Sequence, residues 1–109
     1  MTPDVRDRGY LADLLTAAEE VSTVVTEAGG AYTRGDLIAR RALEKCLLNL
    51  GEAAGHLSQS FKDKYPHVPW HAVVGLRNVL AHEYGAVDYQ ALWRVATRDV
   101  PELVKSLSR

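Results

Sequence analysis

Apolar residues recur at three- and four-residue steps from Val5 through Leu11, Leu14, Leu15, Ala18, Val21 and Val25 to Ala28, the stripe of a first helix. Thr2 or Asp4 suits its N-cap and Pro3 its first turn, and Gly29 with Gly30 is expected to end it. The turn residues AYTRGD follow. Asp36 then stands where an N-cap belongs, ahead of a second long helix that turns Leu43, Leu47, Leu50, Ala54 and Leu57 inward. Lys45, Asn49, Glu52, His56 and Gln59 take its other side.

The stretch FKDKYPHVPW, with Pro66 and Pro69, reads as a connector, and Pro69 suits the first turn of a third helix running to about Glu83. Asp88 caps a fourth helical region with Leu92, Val95 and Ala96 on its apolar side, which Pro101 kinks or divides. Inside the second helix Gly51 and Gly55 each cost about 1 kcal/mol relative to alanine unless a close approach compensates. That approach is either a neighbouring helix of the same bundle or a dimer seam. With no alternating strand pattern, the expected architecture is all-α: an antiparallel up-and-down bundle of four to five helices forming a single domain over residues 1–109.

The composition, 47% hydrophobic and 25% charged, is that of a folded globular chain. A formal net charge of −1 provides no global basic field, so any nucleic-acid contact must come from a local patch. The single cysteine, Cys46, excludes an intrachain disulfide and a cysteine zinc cluster, and a core position is expected for it. His67 and His71 are four apart, but Pro69 between them and the lack of a third ligand nearby argue against zinc. No apolar run approaches the ~20 residues of a membrane span and no secretory signal is evident, so a cytoplasmic location away from membranes is expected.

Chemistry concentrates in RNVLAHEYG, residues 77 to 85. At about 100° per residue, Val73, Leu76 and Leu80 form the core stripe of the third helix, and His71, Gly75, Asn78 and His82 line up along the opposite ridge. Arg77 lies about 140° from His82 on an ideal helix, so a long guanidinium arm, a frayed helix end before Gly85, or a second chain must bring the two groups together. Each residue also has an ordinary structural reading: Arg77 as a surface cation pairing with Glu83 or Asp99, Asn78 as a solvated helix residue, His82 as a C-terminal-turn histidine, Tyr84 as a half-buried aromatic. Together, Arg77 and His82 are the pair required for phosphodiester cleavage without a metal. An imidazole moves protons near neutral pH, and a guanidinium holds phosphate oxygens as negative charge builds on them.

The spacing R-x4-H-x-Y, filled by Arg77, His82 and Tyr84, resembles the motif of the HEPN superfamily, and more narrowly of HepT-like toxins. LGEAAGHLS in the second helix, KYPHVPWHAVVGLRN leading into the motif, and LWRVATRDVPEL near the C-terminus match in the same order. The resemblance implies a helical bundle that dimerises to line one cleft with two motifs, working as a metal-independent, cofactor-free endoribonuclease toxin of a type VII toxin–antitoxin pair. The RNA 2′-hydroxyl would attack the adjacent phosphodiester of a tRNA or mRNA, leaving a 2′,3′-cyclic phosphate and a 5′-hydroxyl. Since each chain offers one motif histidine and the reaction benefits from two proton-transfer groups, a symmetric homodimer supplies the second.

By the same resemblance His82 is the general acid or base, Arg77 the phosphate clamp, and Asn78 an orienting or phosphate-contacting residue. Glu52 is a further candidate, set against its reading as a surface glutamate. Tyr84 corresponds to the tyrosine to which a partner nucleotidyltransferase antitoxin of the MntA type attaches AMP. Two other readings use the same residues: a catalytically weak helical dimer serving as binding partner and AMP acceptor of such an enzyme, and a mononucleotide-binding domain.

Overall fold

The computed structural model describes the backbone of residues 3–82 and 87–108, and among these every regular element is helical. In chain order they are α1 (Pro3–Thr33), α2 (Leu37–His56), the single turn α3 (Gln59–Asp63), α4 (Trp70–His82), α5 (Tyr89–Arg94) and α6 (Val100–Leu107). A π-helical turn, Val95–Asp99, joins α5 to α6 without a break, so the two form one arm. α1 packs along α2, α2 carries α4 on another side, and the arm returns across α1. The expected all-α bundle is what the chain forms.

The predicted stripes supply the core. Leu14, Val21, Leu43, Leu47 and Leu50 are all but inaccessible, and Leu57, Leu92, Ala96, Val100 and Leu103 close it from the second half. Cys46 is half-buried against this core, where burial pushes its thiol above the usual range. Asp36 caps α2 as expected, its carboxylate accepting from the Ala39 N–H at 2.9 Å, and Asp88 caps α5 through the N–H groups of Gln90 and Ala91.

Two boundaries differ from expectation. α1 runs through Gly29 and Gly30 to Thr33, because Gly29 is the point where the helix admits the Trp93 indole: a methyl carbon there would lie 2.8 Å from its Cη2. The helix ends instead at Gly35, whose φ of 92° is the left-handed conformation of a C-terminal cap. Hydrogen bonds from Gly35 N–H to Tyr32 O and from Asp36 N–H to Ala31 O complete that cap. α2 stops at His56, since Leu57 is extended and Ser58 starts a new turn with its Oγ accepting from Phe61 N–H. Pro101 divides the last segment as expected: it lies in the first turn of α6, after the π-helical turn in which Val100 N–H reaches back to Val95 O.

One buried carboxylate ties the two ends of this layout. Asp7 on α1 accepts from the Ser58 hydroxyl at 2.6 Å and from the Ser58 backbone N–H at 2.9 Å. The hydroxyl bond first, and the backbone bond second, hold its carboxyl below the ordinary value of 3.8. Because the folded value is depressed, this contribution to stability is complete above pH 3.8 and disappears as pH falls through the folded value. Asp7→Asn is expected to lower the urea midpoint at pH 7, with the gap from wild type closing only below pH 3.8 in parallel titrations.

The two helix-interior glycines divide the readings offered for them. Gly51 is buried against α4: a methyl carbon there would lie 3.0 Å from the Arg77 backbone nitrogen and 3.1 Å from the Val73 carbonyl oxygen. Gly51 therefore serves a contact within the bundle. A Cβ on Gly55 would meet only Val74 Cγ1, at an ordinary 3.7 Å. Gly51→Val is expected to cost about 2–3 kcal/mol by forcing the helices apart, and Gly55→Ala to add about 0.5–1 kcal/mol, both read from urea unfolding.

Candidate active site

α4 carries the polar cluster, and its position is fixed at two points. At its start, the Trp70 Nε1–H lies within hydrogen-bonding distance of two carbonyls at the end of α3, Lys62 O at 3.2 Å and Tyr65 O at 3.1 Å. The Trp70 ring meets Phe61 edge-on at 6.2 Å, and buried Val68 seals the connector beneath it. Further along, the backbone from Val73 to Arg77 rests on Gly51 of α2. Val73, Leu76 and Leu80 pack half-buried against the core, as the stripe predicted, and Val74 joins them.

With that side spent, His71, Arg77 and Asn78 face solvent. Arg77 is anchored through its backbone while its guanidinium points outward, and no carboxylate pairs with it among the described residues. Asp99, one ordinary partner considered for it, bonds Arg98 instead at 3.3 Å. An exposed guanidinium with which no described carboxylate pairs is suited to phosphate by its planar fork of donors.

His82 is the last residue of α4; its side chain, and Tyr84 and Glu83 altogether, lie outside the described residues. Arg77, Asn78 and Glu52 are thus the expected site residues whose surroundings are defined, and Arg77 and Asn78 are neighbours on one exposed turn. Glu52 follows Gly51 directly, yet it lines a shallow groove with Tyr10, Asp13, Asn49 and His56 between α1 and α2. In that groove His56 stacks on Tyr10 at 4.8 Å. No group of three or more His, Cys, Asp or Glu side chains suited to a metal occurs among the described residues, and no helix there is long and apolar enough to cross a membrane.

The family described as Ribonuclease HepT-like matches residues 14–109, taking in all of α2, α4 and the arm. The chain belongs to the HepT-like ribonuclease family. Among its relatives in this family, the candidate RNase MJ1380 of Methanocaldococcus jannaschii is 33% identical over 100 residues, covering 92% of each chain. A candidate RNase of Caldanaerobacter subterraneus subsp. tengcongensis, TTE0752, is 36% identical over 72 residues, 66% of this chain and 64% of its own. A second M. jannaschii candidate RNase, MJ0125, is 26% identical over 102 residues, covering 94% of this chain and 88% of its own. No solved structure matches the chain.

On the exposed turn of α4 side chains can be removed without touching the core. Truncating Arg77 at Cβ keeps the atom that faces Gly51 and removes only the solvated arm. Arg77→Ala and Asn78→Ala are therefore each expected to alter unfolding free energy by no more than about 0.5 kcal/mol in urea titrations, so any lost function is not lost fold.

Proposed function

We propose that this protein is a single-domain, cytoplasmic endoribonuclease toxin that cuts RNA without a metal, acting as a symmetric homodimer whose two α4 motifs face one cleft. The observation that carries the reading is an exposed guanidinium with no carboxylate partner among the described residues, Arg77, one turn and a half ahead of His82, in a chain of a ribonuclease family. In this mechanism one imidazole removes the proton of the 2′-hydroxyl, whose oxygen attacks the adjacent phosphorus. The P–O5′ bond breaks, the second imidazole protonates the leaving 5′-oxygen, and a 2′,3′-cyclic phosphate remains. Arg77 holds the non-bridging oxygens as their charge rises, and Asn78 orients the strand.

Exposed apolar residues support the dimer. Val79, adjoining Asn78 on α4, is 41% exposed, and Leu37 and Ile38 at the start of α2 are 62% and 80% exposed. Apolar surface of this kind favours a partner, and a two-fold arrangement would place one such patch on its own copy. Regulation in this reading falls on Tyr84, where a partner nucleotidyltransferase would transfer AMP to the phenol and the added phosphate would repel RNA.

Purified protein is expected to cut single-stranded RNA in excess EDTA, yielding ends with a 2′,3′-cyclic phosphate by mass spectrometry. Arg77→Ala and His82→Ala should each reduce the rate by about 10²-fold or more. Full cleavage by both variants would remove these residues from the mechanism. The net charge of −1 favours a second reading, a weakly active dimer that serves a nucleotidyltransferase as partner and AMP acceptor; inert wild-type protein in a stable complex with that enzyme would select it.

A further inference from the structure

Away from the α4 turn, the ends of α1, α2 and α5 close around a pocket of about 300 Å³ whose lining includes Tyr32, Arg40, Tyr89, Gln90, Trp93 and Arg94. Its wall is a stack of rings. Tyr32 and Trp93 lie face to face at 5.2 Å, and Tyr89 meets Tyr32 edge-on at 6.2 Å. Tyr32 is 2% exposed and its hydroxyl donates to Tyr89 O at 2.8 Å, so the stack is part of the folded frame and not a loose surface feature. Burial pushes the Tyr32 phenol up to about 12, leaving it neutral at every working pH.

The charges around this wall are unevenly spent. The Arg40 guanidinium lies over the Tyr89 ring at 4.4 Å and donates from Nε to Tyr32 O at 3.2 Å; its two Nη groups have no acceptor among the described residues. Arg94 is exposed and pairs with no carboxylate there. Of the nearby carboxylates, Glu44 holds Arg41 at 2.7 Å, and Asp36 and Asp88 are bonded to the N-termini of α2 and α5. What remains for a ligand is two guanidinium groups beside aromatic rings, the combination that takes a phosphate and a base of a single strand.

We propose that this pocket holds one nucleotide of a single-stranded RNA on the strand that runs to the α4 motif, with Arg40 and Arg94 on its phosphate and Trp93 and Tyr89 against its base. The assignment rests on the ribonuclease reading for its choice of ligand. Connectivity supports it: Tyr89 is seven residues beyond His82, so the pocket lies no more than about 25 Å from the end of α4. A strand crossing that distance extends the site by a few nucleotides and lets the enzyme choose its cleavage position by what lies beside it.

The test measures binding of a fluorescent 12-nucleotide 2′-O-methyl RNA, which lacks the attacking hydroxyl, to the full chain by anisotropy. Arg94→Glu should weaken binding roughly fivefold or more, and Arg40→Lys should weaken it with the total charge unchanged. Arg8→Glu makes the same charge reversal near the opposite end of α1, about 37 Å along the helix from Thr33, and should change affinity less than about twofold. RNA carrying 4-thiouridine should photocrosslink to the peptide spanning residues 89–94. Equal weakening by Arg94→Glu and Arg8→Glu, or crosslinks confined to α4, would overturn the pocket. So would an acidic peptide that binds there in preference to RNA. A parallel cleavage assay separates the two ideas: intact RNA with Arg94-dependent binding rejects the nuclease and keeps the pocket, and cleavage with Arg94-independent binding does the reverse.

Discussion

Gly51 lets the backbone of α4 lie directly on α2, and the placement of the candidate site depends on that contact. A side chain there would press on the Val73 carbonyl and the Arg77 amide, two backbone groups that do not move without the whole helix. Since α4 is also held at Trp70 by two backbone carbonyls, its rotation is set: Val73, Leu76 and Leu80 must point to the core, and Arg77 and Asn78 are left outside. The rigidity lies in the helix and the reach lies in the guanidinium. That division suits a group that must meet a charge developing on a substrate while its own backbone stays put.

Gly29 plays a parallel part at the other end of the bundle, where the absence of a Cβ admits the edge of Trp93 and so the whole Tyr32, Tyr89 and Trp93 stack. Glycine inside a helix costs conformational entropy, and here each of the two buried ones is offset by a large partner brought close: a helix backbone at Gly51, an indole at Gly29. Local sequence carries only the cost. The same pair, Gly29 and Gly30, therefore reads as a helix end, although Gly35 is the residue that adopts the left-handed conformation. A rule of local propensity has no access to a tryptophan more than sixty residues away.

Features set by neighbours along the chain were legible. The stripes of α1, α2 and α4 and the caps at Asp36 and Asp88 depend on spacing within one or two turns, and they stand where the pattern put them except at Val5, which the first turns of α1 leave 46% exposed. Ser58 was less so, because its role as the cap of α3 and as the donor to Asp7 combines a local turn with a partner fifty-one residues away. At the candidate site the motif spacing singled out Arg77 and Asn78, which the structure leaves exposed, and the core side of their helix was legible from its apolar stripe. The pocket at Arg40 and Arg94 was not legible because its parts are split among AYTRGD, which reads as a turn, the first turn of α2 that carries Arg40, and YQALWR, which reads as an amphipathic helix. Its one local signal was the arginine set among aromatic residues in YQALWR.

A protein of net charge −1 gains little from long-range attraction to RNA, so binding must come from short-range contacts that are individually modest. Two such contacts on one strand reinforce each other. If a nucleotide seats against Trp93 and Arg40 as proposed, the segment a few nucleotides away would be confined near α4, and its second contact would be made at the high effective concentration of a tethered ligand. The span between the two places then selects a length and a conformation of strand, a form of specificity that a uniformly basic surface does not offer. Low overall charge and spaced, aromatic-backed arginines are consistent with an enzyme that holds few RNAs loosely and cuts only those whose strand fits both places at once.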